Sequence, residues 1–184
     1  MPSVMFIYPE WTEKRELLAF GFYVKSVGLC CNPGAPARDD GPYIIHRSSY
    51  NSDKELADYA WRAMAEHKLD ATAGICCWRG HDVLWPRMIA LAIRHNLQIP
   101  YSWAKSDPTR RYSLVELIDL YSLVSRVYDA GDGIENPKTL IMALADWGCL
   151  MDADPVELAT GADRDTRMVG VLYGMAEALG RYLA

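Results

Sequence analysis

Residues 71–100 read ATAGICCWRGHDVLWPRMIALAIRHNLQIP, and the order of elements in this segment indicates the class of fold. It opens with ATAGICC at 71–77, a run of small apolar residues that predicts a strand buried on both faces of a sheet. A helix is predicted over about 83–96, because apolar residues recur there at helical spacing. Pro86 stands in its first turn, where proline is tolerated. A buried strand that leads into a helix is typical of an α/β domain.

Upstream of this unit the sequence predicts an antiparallel meander followed by a helix. The three strands of the meander are predicted at 4–8, 17–25 and 43–47. A proline- and glycine-rich loop at 28–42 separates the second strand from the third. Ser52 and Glu55 then have the spacing of a capping box, which predicts a helix over 53–67.

Downstream of residue 100 the sequence is mainly helical. We predict a loop at 98–112, helices at 113–127, 136–147 and 163–182, and a short helical turn from Asp154-Pro155. The last helix has an apolar stripe, formed by Met168, Val171, Leu172, Met175 and Leu179. We therefore predict one α/β domain over residues 1–184, with a mixed sheet, antiparallel first and then parallel, flanked by helices.

Composition narrows the class of protein further. The formal charge of −5 argues against broad electrostatic coating of nucleic acid. No apolar run reaches the length of a membrane span, and the N-terminal residues have no basic flank of the kind that precedes a signal sequence. The five cysteines include two adjacent pairs, which form neither a disulfide framework nor a zinc knuckle. We expect reduced thiols and a cytoplasmic location without membrane partners.

The segment 77–100 also resembles a known motif. It is similar to the second exonuclease motif, N-G-R-G-F-D-L-P-x-L, of predicted 3′–5′ exonucleases related to the proofreading domain of family B DNA polymerases. Arg79, Gly80 and Asp82 match, whereas His81 replaces the Phe and Cys77 replaces the Asn.

Other segments resemble the same family in the same order. LVELIDLYSLV at 114–124 and PKTLIMALADWGCLMDADPVEL at 137–158 look like its D-L-M-D-L-L and S-L-x-E-L-A-x-x-L-G-x-P segments. Tyr173 and Glu177 have the spacing of the third motif, Y-x-x-x-D. Tyr8 and Glu10 stand near the Asp and Glu of the first motif, F-D-I-E-T.

The resemblance implies a ribonuclease H-like fold and two-metal hydrolysis of a single-stranded DNA or RNA 3′ end. By the same resemblance, Glu10, Asp82 and Glu177 would be ligands of Mg²⁺ or Mn²⁺, and Tyr173 would position the attacking water. Departures from the motifs predict weak or lost catalysis: Tyr8 replaces a metal-bridging Asp, Glu177 is longer than Asp, and Cys77 lacks an amide. The alternative is an inactive module that binds nucleic acid or a protein, and in that case no metal would be needed.

Several of these residues also have ordinary structural interpretations. Asp82 before a helix has the position of an N-cap, and Glu10 has that of a surface charge. Tyr173 and Glu177 suit an interfacial tyrosine and a solvated glutamate. His81 is expected to be half-buried and hydrogen-bonded. The candidates for an exposed contact surface are Trp11, Trp78 and Trp103, with Arg110-Arg111 as possible phosphate contacts.

Overall fold

The computed structural model describes residues 3–26, 39–70, 74–98, 117–123, 137–146 and 154–182. The strands are β1 (Ser3–Trp11), β2 (Leu17–Ser26), β3 (Asp39–His46), β4 (Ile75–Cys77) and β5 (Leu117–Asp119). The helices are α1 (Asp53–Asp70), α2 (Trp85–His95), α3 (Pro137–Asp146), α4 (Asp154–Ala159) and α5 (Arg164–Tyr182). Two short turns complete the elements, a 3-10 turn at Arg47–Ser49 and a π-helical turn at Gly80–Leu84.

The five strands form one mixed sheet in the order β3-β2-β1-β4-β5. The pairs β1–β2 and β2–β3 are antiparallel, whereas β1–β4 and β4–β5 are parallel. The predicted meander, followed by parallel strands, is therefore confirmed. The chain is an α/β protein whose sheet is flanked by helices.

Each face of the sheet has its own core, because successive side chains of a strand point to opposite faces. Met5 and Ile7 of β1 pack with the apolar sides of α1 and α2. Val4 and Phe6 of the same strand pack on the other face, against α3, α4 and α5. All five residues of the stripe predicted on the last helix are buried, and four of them, Val171, Leu172, Met175 and Leu179, belong to this second core.

Local signals explain where two of the helices begin. The Ser52 hydroxyl accepts a hydrogen bond from the Glu55 amide at 3.3 Å, and the Glu55 carboxylate accepts one from the Asn51 amide at 3.0 Å. This is the predicted capping box, except that the Glu55 carboxylate accepts its hydrogen bond from Asn51, the residue before the N-cap Ser52. Pro86 lies in the first turn of α2, as predicted. None of the helices in the described ranges is long and apolar enough to cross a membrane.

Two predicted elements are wrong in part. Leu117–Asp119 is a strand rather than the middle of a helix, although residues 120–123 after it are helical. A short apolar run fits a buried strand and a buried helix equally well, so periodicity could not separate them. Residues 39–42 belong to β3 rather than to a loop, because an edge strand tolerates the glycine and proline found there. The remainder of that loop, 28–38, and most of the loop at 98–112 lie outside the described residues.

Candidate functional site

The carboxyl ends of three parallel strands meet at one edge of the sheet, which is where open α/β sheets usually bind ligands. Strand β1 ends there with Glu10 and Trp11, β4 leads into Trp78 and Arg79, and β5 ends with Asp119. Parallel pairing of β1 with β4 and of β4 with β5 brings these side chains to this edge from segments far apart in the chain. We call it the carboxyl edge.

A strained turn shapes the middle of the carboxyl edge. Arg79 has a φ of 51°, a left-handed conformation that is uncommon for a residue with a Cβ atom. Its carbonyl accepts hydrogen bonds from the amides of Val83 and Leu84, at 3.0 and 3.1 Å, which closes the π-helical turn. Such turns occur frequently at functional sites.

The same turn pairs Asp82 with Arg79. The Oδ2 atom of Asp82 accepts hydrogen bonds from Nε and Nη2 of Arg79, at 2.9 and 2.5 Å. Asp82 does not cap a helix, because the residue before α2 is Leu84 and no side chain caps it. The N-cap interpretation of Asp82 is therefore wrong, and its carboxylate is engaged by a guanidinium.

Asp119 is a buried carboxylate that the sequence analysis missed. Its side chain is 4% exposed and accepts hydrogen bonds from the backbone amides of His81, at 3.2 Å, and Ser122, at 3.4 Å. The sequence predicts a helix over 113–127, which places Asp119 in the middle of a helix; the signal that would identify it is an acidic residue at the end of a short apolar strand. Asp119 ties the π-helical turn to β5.

His81 has the predicted burial but lacks the predicted hydrogen bond. The residue is half-buried, as expected, but neither ring nitrogen has a hydrogen-bond partner among the described residues.

Cys76 and Cys77 are fully buried core residues, as the sequence indicated. Burial raises the pKa of both thiols, and the nearby charge of Asp119 raises it further.

Glu10 is held by the first turn of α5. Its Oε2 atom lies 2.7 Å from Nε of Arg164, and its side chain is 16% exposed, so it is not a solvated surface charge. Two residues earlier in β1, burial raises the pKa of Tyr8, and Glu10 raises it further against the opposing effect of Arg167. Tyr8 is therefore a neutral phenol at physiological pH and offers no carboxylate substitute.

A second side-chain contact lies beside this ion pair on the same side of the sheet. Glu10 is the register partner of Ala19, and Ala19 is the partner of His46. Nε2 of His46 lies 2.7 Å from Oδ1 of Asp165, the residue after Arg164. The start of α5 is thus fixed to β1 and β3 by two adjacent side chains. No sequence signal identified these pairs, because their partners are more than 100 residues apart.

The remaining predicted site residues lie farther along α5. Tyr173 packs edge-on against Tyr23, with ring centroids 5.2 Å apart, and Tyr23 is the register partner of Phe6 in the middle of β1. Glu177 follows Arg164 by thirteen residues, which is about 20 Å along the helix axis. The structure brings Tyr8 and Glu10 together with the first turns of α5, and it does not bring Glu177 to them.

A cavity of about 470 Å³ opens at the carboxyl edge. We call it the aromatic cavity, because Tyr8, Trp11 and Trp78 line it together with Arg79 and Arg87. The Arg87 guanidinium lies 5.8 Å from the Trp11 ring centroid. Tyr121 contacts two of the lining residues: its ring is edge-on to Trp78, with centroids 5.1 Å apart, and its centroid lies 5.6 Å from the Arg79 guanidinium.

The predicted metal ligands do not fit a two-metal centre. Two such ions need several carboxylate oxygens within a few ångströms of one another. Glu10 is paired with Arg164, Asp82 is paired with Arg79, and Glu177 is far along α5. Among the described residues, no three His, Cys, Asp or Glu side chains are grouped so that they could hold a metal ion. We therefore derive no hydrolytic step through Mg²⁺ or Mn²⁺.

In comparisons with known proteins, no family model matches the chain and no curated protein is similar enough to count as a relative.

Proposed function

We propose that this chain is an exonuclease-fold module that binds the 3′ end of single-stranded DNA or RNA and has lost two-metal hydrolysis. Support for the ribonuclease H-like part comes from the sheet, in which an antiparallel meander comes first and parallel strands follow. That is the arrangement that the resemblance to polymerase proofreading domains implies. Support for lost hydrolysis comes from the pairing of Glu10 and Asp82 with arginines.

The observation that carries the proposal is the aromatic cavity. Nucleobases stack on aromatic side chains regardless of sequence, and arginines beside such rings contribute cation–π contacts and bind phosphate. Trp11 and Trp78 provide the rings, while Arg79 and Arg87 provide the guanidinium groups. Both tryptophans are half-buried and line the cavity. A volume of about 470 Å³ is typical of a small-molecule site and suits a terminal nucleotide.

The acidic balance of the chain favours a second candidate function. With 24 Asp and Glu against 19 Lys and Arg, a protein partner suits the surface as a whole better than a long nucleic acid does. In that case the aromatic cavity would receive an aromatic or basic side chain of the partner, as interface hot spots commonly do. Binding to oligonucleotides separates the two candidates.

The binding test compares Trp78→Ala with Tyr43→Ala. Tyr43 is an aromatic residue on the edge strand β3, 51% exposed, which makes it a control outside the cavity. We expect Trp78→Ala to weaken binding of a fluorescent single strand by about 5-fold to 150-fold, since a stacked base contributes about 1–3 kcal/mol. Tyr43→Ala should bind like the wild type. Thermal unfolding of all three proteins verifies that each is folded.

A circular single strand of the same sequence tests the preference for an end. The proposal expects the linear strand to bind more tightly than the circular one. Wild-type protein that binds neither strand, or Trp78→Ala that binds as tightly as wild type, would contradict the proposal. The protein-binding candidate would then take its place.

The catalytic part is tested by release of mononucleotides with Mn²⁺ or Mg²⁺. We expect wild type and Asp82→Ala to give the same background. Release by wild type that Asp82→Ala abolishes would overturn the loss of hydrolysis while leaving the binding proposal in place.

A further inference from the structure

A second cavity adjoins the aromatic cavity and has a different character. It measures about 300 Å³ and is lined by three arginines, Arg15, Arg87 and Arg94, with Asp82 as its one acidic residue among those described. Val83 and Arg87 line both cavities, so the two adjoin. We call the second one the arginine groove.

The fold presents these three arginines from two rigid elements. Arg87 and Arg94 are seven residues apart on α2, which is two turns, so they share one helix face about 10 Å apart along the axis. The exposed Ala90 lies between them and leaves the groove open.

Arg15 comes from the turn between β1 and β2. It has a φ of 62°, and its amide donates a hydrogen bond to the Thr12 carbonyl at 2.9 Å. The Thr12 hydroxyl accepts a further hydrogen bond from the Glu16 amide at 3.0 Å. The turn is thus held by its own hydrogen bonds with Arg15 at its corner.

The arginine groove is positive in a chain whose net charge is −5. Within the described part of the chain, Arg15, Arg87 and Arg94 form no salt bridge, and the Arg87 guanidinium contacts the Trp11 ring. Asp82 contributes little negative charge to the groove because Arg79 neutralises it. Isolated surface arginines are ordinarily just solvated. Three that line one concave surface, next to an aromatic cavity, are instead typical of a track for a polyanion.

We propose that the arginine groove holds the phosphates that precede the terminal nucleotide of a bound single strand. The terminal base would lie in the aromatic cavity, Arg87 would bind the phosphate at the junction, and Arg15 and Arg94 would bind phosphates farther from the end. Arg87 and Arg94 lie two helical turns apart on α2, so each is placed to contact a different phosphate. This inference rests on the function proposed above, which it extends from a terminal nucleotide to a strand several nucleotides long.

The test removes two charges from the groove and two from elsewhere. Arg15→Gln/Arg94→Gln is compared with Lys54→Gln/Arg62→Gln, which removes the same charge from exposed positions on α1. Binding of a mononucleotide and of an eight-nucleotide strand is measured over a range of NaCl concentrations. Neither substitution involves a residue of the aromatic cavity.

We expect the groove variant to bind the eight-nucleotide strand about tenfold more weakly than the α1 variant at moderate salt. Its plot of log affinity against log salt should be shallower by about 1.4, because each phosphate contact of a single strand contributes about 0.7 to that slope. Mononucleotide binding should be the same in both variants. Equal binding of the long strand by the two variants, or equal weakening of both ligands by the groove variant, would overturn the inference.

An abasic phosphodiester strand distinguishes the failure of this inference from the failure of the proposed function. If Trp78→Ala has no effect on any strand but the groove variant loses the abasic strand, the groove is supported and the end-binding function is overturned. If Trp78→Ala weakens base-containing strands and the groove variant binds both strands normally, the end-binding function is supported and the groove is overturned.

Discussion

The carboxylate of Asp163 fixes the start of α5, the helix that supplies the partners of Glu10 and His46. Its Oδ1 atom accepts a hydrogen bond from the Thr166 amide at 2.8 Å, and its Oδ2 atom accepts one from the Thr166 hydroxyl at 2.5 Å. Asp163 is the N-cap residue, whose side chain satisfies an amide that has no partner within the helix. These hydrogen bonds, first of all those of the Thr166 side chain, lower the pKa of Asp163.

We expect Asp163→Ala to lower the melting temperature at neutral pH, because the Thr166 amide loses its acceptor. Because the folded pKa is lowered, the stabilisation by Asp163 is present above the unfolded pKa of about 3.9 and is lost as pH falls through the folded pKa. The difference between wild type and Asp163→Ala should therefore shrink in acid. Thermal unfolding from pH 7 to pH 2.5 measures it.

Asp163→Asn is the matched control for this prediction. Asparagine caps helices about as well as aspartate but carries no charge that titrates. It should unfold nearer to the wild type than Asp163→Ala does at neutral pH. A wild-type advantage over Asp163→Ala that stays constant down to pH 2.5 would contradict the role of the ionised carboxylate.

Residue by residue, the candidate site could be predicted only where its signal is local in sequence. Arg79, Gly80 and Asp82 stand in one motif, and the structure places all three at the carboxyl edge. The ion-pair partners of the charged site residues could not all be predicted in the same way. Whether Glu10 is a ligand or an ion-pair partner depends on Arg164, which reaches it through the packing of α5 on the sheet. Such long-range pairing leaves no spacing pattern in a single sequence.

Among the elements, α5 lies directly against the backbone of α4 at Gly170. A Cβ atom built there would lie 2.3 Å from the Ala159 backbone nitrogen and 2.8 Å from its Cα atom. Real Cβ contacts are longer, so the backbones of the two helices would have to separate. Gly170 is thus a packing residue, and the close approach explains a glycine inside a helix, which is otherwise unfavourable.

We expect Gly170→Ala to lower the free energy of unfolding by about 1–3 kcal/mol, the usual cost of overpacking. The clash is with backbone, so no side chain can move aside to relieve it. Urea unfolding at 25 °C measures the change.

Gly180→Ala on the same helix is the control, since its added Cβ would meet no described atom within 4 Å. That substitution should raise the free energy of unfolding by up to about 1 kcal/mol through helix propensity. A loss of stability in Gly180→Ala equal to that in Gly170→Ala would show that the approach of α4 is not the cause.

Helices were the elements that the sequence predicted best. The long periodic stripes of α1 and α5 and the capping box before α1 are local, and the structure agrees with each of them. The short strands were harder, because three residues are too few to have a period. Strand β5 exists because β4 offers it a parallel partner, and that pairing is a tertiary interaction rather than a local preference.

At the scale of the whole molecule, β4 contributes to both cores, as β1 does. Cys77 packs towards α1 and α2, and its neighbour Cys76 packs on the opposite face with α5. Both thiols are buried, and burial is the largest of the effects that raise their pKa values. Their reactivity therefore reports on the integrity of both layers at once.

We expect Cys76 and Cys77 to resist alkylation by iodoacetamide at pH 8 in the native protein and to react rapidly in denaturant. The thiolate is the reactive form, and a raised pKa keeps it scarce while burial blocks access. Peptide mapping by mass spectrometry follows each cysteine separately. Native-state alkylation of either thiol at the rate of an exposed cysteine would contradict the two-core arrangement.

The raised pKa values of Cys76 and Cys77 also predict how the free energy of unfolding changes with pH. Because the folded pKa lies above the unfolded value of about 8.5, the folded chain keeps protons that the unfolded chain releases. The free energy of unfolding should accordingly fall as pH rises above about 8.5. Replacing both cysteines with alanine should reduce that slope.

The central position of β1 has a consequence for the chain while it is being synthesised. The hairpin of β1 and β2 is complete once residue 26 has left the ribosome. The other edge of β1 stays unpaired until β4 is synthesised, because Met5 pairs with Ile75. At about 5–20 residues per second, that delay lasts several seconds. During it, a nascent chain exposes an unpaired and largely apolar strand, which is the kind of surface that sticks to neighbouring chains. Ribosome-associated chaperones that cover this strand would therefore raise the yield of folded protein. Slower initiation would raise it too, because it spaces the ribosomes farther apart on the messenger RNA.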